Sequence, residues 1–100
     1  MTPQIITKHL SEINKIVEQN DINYLAVYGS FARGEETPNS DLDLLVSFSK
    51  SKGLFDFIGI QDELSSVLKV KVDLVTKNGL SKYIKPYVEN DIKIIYEEKT

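Results

Sequence analysis

Apolar residues along this chain alternate between helical and extended spacing. Ile5, Ile6, Leu10, Ile13, Ile16 and Val17 recur at helical intervals, which predicts one amphipathic helix over residues 3–19. Thr2 is the expected cap and Pro3 falls in the first turn, where a missing N–H costs nothing. Asn20-Asp21 ends the helix, and Tyr24–Tyr28 is a short apolar strand. Gly29-Ser30 breaks that strand, and Phe31-Ala32-Arg33 reads as a first helical turn. Gly34 to Ser40 is a loop of turn-forming residues. Asp41 to Phe48 is the second strand and Ser49 to Gly53 a polar loop. Leu54, Phe57, Ile58, Leu64, Val67 and Leu68 predict a long helix over 54–68, slightly weakened by Gly59. Val70 to Thr76 is the third strand and Asn78-Gly79 a turn. Residues 80–90 read as helical, with limits blurred by Pro86. Ile92 to Tyr96 is a closing strand. The order implies an α/β (α+β) domain, a small mixed sheet of about four strands with helices packed on it.

Chemistry concentrates where the first two strands begin and end. Ten residues separate Gly29-Ser30 from Asp41-Leu42-Asp43. Alternate residues of a strand share a face, so Asp41 and Asp43 stand on one side, with Cα atoms about 6.5–7 Å apart, while Leu42 and Leu44 enter a core. Two such carboxylates repel unless a cation lies between them. Mg²⁺ takes oxygen ligands, commonly one or two carboxylates plus substrate phosphates. A pair of ions about 3.5–4 Å apart can serve both the attacking and the leaving oxygen. Asp73 interrupts the apolar Val70–Val75 run, where an unpaired charge is costly. If its strand neighbours the second, it becomes a third ligand and can help take an acceptor proton.

Gly29 permits a tight turn and a close approach of backbone to ligand. The amides of the following helical turn and the Ser30 hydroxyl can hold a phosphate. Arg33, the only arginine, is a candidate phosphate fork or a surface partner of Glu35 or Glu36. Ser40 is a candidate nucleotide contact that can equally organise the entry to the strand. His9 reads as a half-exposed structural residue. Tyr83 and Tyr87 can share a helix face and touch a base or a partner.

Bulk properties narrow the setting. A length of 100 residues fits a single domain, 1–100. A domain so small is marginally stable and gains from a partner or from self-association, so a homo-oligomer stays open. Without cysteine there is no disulfide or thiolate metal site. No apolar run approaches a signal core or the roughly 18 residues of a membrane helix, so a cytoplasmic protein without a membrane partner is expected. A net charge of −3 argues against general nucleic-acid binding.

The combined segments Gly29-Ser30-Phe31-Ala32-Arg33-Gly34, Ser40-Asp41-Leu42-Asp43-Leu44 and Val72-Asp73-Leu74-Val75 resemble the minimal nucleotidyltransferase (MNT) family of the polymerase-beta-like superfamily. The resemblance spans nearly the whole chain, including Ile92–Tyr96. It implies a polymerase-beta-like core and a Mg²⁺-dependent enzyme with two ions. It further implies ATP as substrate and the role of antitoxin in a HEPN/MNT pair. AMP would then pass to a tyrosine of a helical HEPN ribonuclease toxin. The chain has no room for an acceptor domain of its own, which agrees with an acceptor on another chain. Two other readings remain open at this point: a non-catalytic antitoxin that masks its toxin, and a nucleotidyltransferase acting on a small molecule.

Overall fold

A computed structural model describes residues 2–79 and 89–98. Eight elements follow one another: α1 (Gln4–Thr7), α2 (Leu10–Gln19), β1 (Ile22–Tyr28), α3 (Ser30–Arg33), β2 (Leu42–Phe48), α4 (Leu54–Leu68), β3 (Val72–Thr76) and β4 (Lys93–Glu97). The strands form one sheet in the order β3-β2-β1-β4. β1 is antiparallel to both β2 and β4, whereas β2 and β3 run parallel, joined by the α4 crossover. The expected mixed four-stranded sheet is therefore present. The segment 80–88, with most of the predicted helix, Pro86, Tyr83 and Tyr87, lies outside the described residues.

One face of the sheet carries the main core. Ile22, Leu25, Val27, Leu42, Leu44, Val46, Val72 and Leu74 meet Ile13, Ile16 and Val17 of α2 and Ile60, Leu64 and Leu68 of α4. The other face holds a smaller cluster, Tyr24, Ala26 and Leu45, flanked by Tyr28, Val75 and Ile92. Alternation thus sends Leu42, Leu44 and Val46 of β2 into the helical layer and Asp43 to the opposite side, with Leu45.

Three expectations need correction. The N-terminal helix is two helices. His9 leaves helical geometry (φ −121°, ψ 21°), and its N–H turns to the Ile6 carbonyl at 3.1 Å. Its ring Nδ1 meets the Ile5 carbonyl at 2.9 Å, the acceptor that its own amide would use in an unbroken helix. At the start, Pro3 and not Thr2 occupies the cap position, without a side-chain cap bond. The strands also shift by one or two residues: β1 starts earlier, at Ile22, β2 starts after Asp41, and β3 starts at Val72.

α4 fixes β3 in place. As an edge strand, β3 has N–H groups that no further strand takes up. Leu74 N–H donates to Gln61 Oε1 at 2.9 Å and Val72 N–H to Ser65 Oγ at 3.0 Å. These bonds flank Asp73 on both sides, so the helix sets the position of that acid.

Candidate active site

The parallel register of β2 and β3 pairs Asp43 with Asp73, and the antiparallel register of β1 and β2 pairs Asp43 with Tyr28. Paired residues project to the same side of a sheet. Asp41, just ahead of β2, keeps the same parity. All three acids therefore lie on the face away from the helices, beside Tyr28.

The electrostatics show their proximity. Asp43 is half-buried, and its carboxyl is held above its usual range, first by burial, then by the charges of Asp73 and Asp41, against a smaller opposing effect of Arg33. Burial, followed by the charges of Asp43 and Asp73, pushes the Tyr28 phenol up to about 12. Asp73 itself is exposed. Lys71 Nζ is 3.8 Å from Asp41 Oδ2, a loose surface pair.

Gly29 joins this group from the end of β1. Its φ of 76° and ψ of −152° suit only glycine, and a Cβ there would stand 2.5 Å from Asp43 Oδ2. The turn therefore lies directly against the acidic face. α3 follows at once, and the Gly29 carbonyl accepts the Arg33 amide at 3.1 Å. Gly34 closes the turn in left-handed geometry (φ 72°). Ser30 opens this helical turn next to Asp43.

Two expected nucleotide contacts are occupied within the protein. Arg33 Nε donates to Glu35 Oε1 and a terminal guanidinium nitrogen to Asp91 Oδ2, each at 3.0 Å. Ser40 Oγ accepts the Thr37 amide at 2.8 Å while the Ser40 amide donates to the Thr37 carbonyl at 3.0 Å, which closes the loop ahead of Asp41. Sequence reasoning missed Tyr28, Gln61, Ser65 and Asp91. Only the i, i+4 spacing of Gln61 and Ser65 hinted at a shared role.

Among the described residues, no three His, Cys, Asp or Glu side chains crowd a single point. The acids share a face but stand apart along it, as like charges do. Their all-oxygen donor set and the raised carboxyl of Asp43 fit a hard divalent cation, whose charge would draw them together.

Comparison with known proteins bears on this geometry. Residues 10–98 match the model of the nucleotidyltransferase domain. The chain belongs to the nucleotidyltransferase domain family. It is thus an enzyme of nucleotide transfer, and the motif resemblance is confirmed. A relative in Thermococcus cleftensis, named protein adenylyltransferase, is 34% identical over 88 residues, which make up 88% of this chain and 86% of the relative. A solved structure described provisionally as a minimal nucleotidyltransferase superposes with a TM-score of 0.77 at 29% identity, covering 93% of this chain and 95% of the other. A Shewanella oneidensis complex of a tri-AMPylated HEPN toxin with its MNT antitoxin shares the fold, with a TM-score of 0.69 at 19% identity over 92% of this chain and 72% of the other. No helix among the described residues is long and apolar enough to cross a membrane.

Proposed function

We propose that this nucleotidyltransferase is a cytoplasmic, Mg²⁺-dependent antitoxin that transfers AMP from ATP to a tyrosine of a HEPN ribonuclease toxin. The observation that carries the reading is the in-register pair Asp43 and Asp73 standing against the Gly29-Ser30 turn. The name of the Thermococcus relative and the AMPylated toxin of the Shewanella complex support the choice of nucleotide and acceptor.

In this reading the α3 amides and the Ser30 hydroxyl grip the triphosphate. Asp41 and Asp43 would hold two Mg²⁺ ions, with Asp73 as a further ligand to one of them, and the ions would supply charge neutralisation at the phosphates. The tyrosine oxygen forms a bond to the α-phosphorus, the bond from that phosphorus to the β-bridging oxygen breaks, and pyrophosphate leaves. The phenolic proton passes to the Asp73 carboxylate and then to water. Alignment and neutralisation do most of the work, so a small open face suffices once the acceptor chain covers it.

The test is incubation of the protein with labelled ATP, Mg²⁺ and the HEPN protein encoded beside it. Label moves to the toxin with wild type and is lost with Asp41→Ala/Asp43→Ala. Absence of label with folded wild-type protein overturns the reading. Toxin neutralisation that survives the double substitution identifies masking as the mechanism instead.

A further inference from the structure

Tyr28 stands on the acidic face but takes no part in gripping the phosphates or removing the acceptor proton. It ends β1 directly ahead of the Gly29-Ser30 turn, paired with Asp43. Its ring packs against the cluster of Tyr24, Ala26 and Leu45. Its phenol is half-buried and within reach of the charges of Asp43 and Asp73. Among the described residues the Tyr28 hydroxyl has no hydrogen-bond partner. A donor held this way is free for a ligand of the face.

The two registers place Tyr28, Asp43 and Asp73 in one row across β1, β2 and β3. Neighbouring strands lie about 4.8 Å apart, so the ends of the row are about 10 Å apart with Asp43 between them. Displacement at phosphorus has a matching polarity. The attacking oxygen enters at one end of a line, and the leaving oxygen departs at the other. Asp73, as the group that takes the acceptor proton, marks the side of attack. Tyr28 then marks the side of departure. The phosphate turn agrees independently, since Gly29-Ser30 continues the strand of Tyr28. Gly29 also lies so close to Asp43 that a Cβ would stand 2.5 Å from Oδ2. The pyrophosphate is therefore held at the Tyr28 end of the row.

A phenol suits that position. It carries its donor proton at neutral pH and has no charge of its own. The oxygen bridging the α- and β-phosphorus gains negative charge as its bond to the α-phosphorus breaks. A donor aimed at it holds more strongly as that charge grows, which raises kcat rather than merely lowering KM.

We propose that the Tyr28 hydroxyl donates a hydrogen bond to the α,β-bridging oxygen and stabilises it as pyrophosphate leaves. The electron pair of the breaking bond goes to that oxygen, and the proton stays on the phenol. This role rests on the transfer reading of the site and makes Tyr28 a catalytic residue at its leaving end.

Tyr28→Phe keeps the ring and removes the donor. Its melting temperature is expected to match that of wild type. In single-turnover AMP transfer to the HEPN protein, the rate at saturating ATP falls about tenfold or more, while the half-saturating ATP concentration changes little. ATP analogues with methylene, fluoromethylene or difluoromethylene in place of the β,γ-bridging oxygen grade the acidity of the leaving group. The loss is largest with methylene and smallest with difluoromethylene, a gradient that a merely structural defect does not give. Calorimetric titration without toxin shows Mg²⁺-pyrophosphate bound about tenfold more weakly by the variant, with AMP affinity unchanged. A rate within about twofold of wild type, or an equal loss with every analogue, overturns the role of Tyr28 alone. An AMP adduct on Tyr28 also overturns it, because the phenol then stands at the side of attack. A folded wild type that transfers no AMP overturns the active-site reading and this role together.

Discussion

Gly29 and Asp43 fit together so closely that residue 29 has no space for a side chain: its Cβ would lie 2.5 Å from Oδ2 of the acid. The φ of 76° is independently hostile to any other residue. Gly29→Ala is therefore expected to lower stability by about 1–3 kcal/mol through backbone strain alone. It should also displace Asp43 and reduce AMP transfer at least about a hundredfold. Thermal unfolding and transfer assays on the same preparation separate the two effects. Transfer within twofold of wild type would show that the contact does not matter to the chemistry.

Asp43 in the metal-free protein works against folding. Its carboxyl is raised above the unfolded value of 3.8, chiefly by burial and then by Asp73 and Asp41. The folded state thus holds this proton more tightly than the unfolded state. Stability from this group is complete below about pH 4 and falls as pH climbs through the raised value. Asp43→Asn removes the penalty, so at neutral pH and without metal its melting temperature should exceed that of wild type by a few degrees. Mg²⁺ should raise the wild-type melting temperature and leave that of the variant nearly unchanged. Differential scanning calorimetry with and without EDTA decides; equal Mg²⁺ responses would remove Asp43 from the ion site.

Gln61 is expected to matter as much for Asp73 as for the sheet. Gln61→Leu leaves the part-buried Leu74 amide without its acceptor, at a cost of about 1–3 kcal/mol. Hydrogen exchange at the Leu74 amide should speed up selectively, and transfer should fall as the strand carrying Asp73 loosens. Unchanged exchange at Leu74 would show that another group takes over the bond.

Arg33 offers a clean choice between two roles. Its ion pairs with Glu35 and Asp91 are exposed, and such pairs contribute about 0–1 kcal/mol. Arg33→Ala should therefore leave the melting temperature almost unchanged. If the guanidinium exchanges these carboxylates for the triphosphate, the KM for ATP rises about tenfold or more while kcat changes less. A KM that stays at the wild-type value would confine Arg33 to its carboxylate partners.

These outcomes explain which parts of the molecule could be read from one sequence. α4 was legible to the residue because its apolar spacing and the glycine before it are local signals. The Gly29-Ser30 turn and the shared face of Asp41 and Asp43 were legible for the same reason. The break at His9 was not, since it depends on a ring nitrogen taking one particular carbonyl. Asp73 could be nominated but not placed, because a parallel register is set by the crossover and not by the strand's own residues. Asp91 reaches Arg33 across 58 positions, and no local pattern carries such a contact.

The acids of β2 and β3 sit on neighbouring strands that the α4 crossover joins. If they hold an ion as proposed, affinity for it is a property of the assembled sheet rather than of any one segment. A chain frayed at its β3 edge would then lose the ion and the activity together.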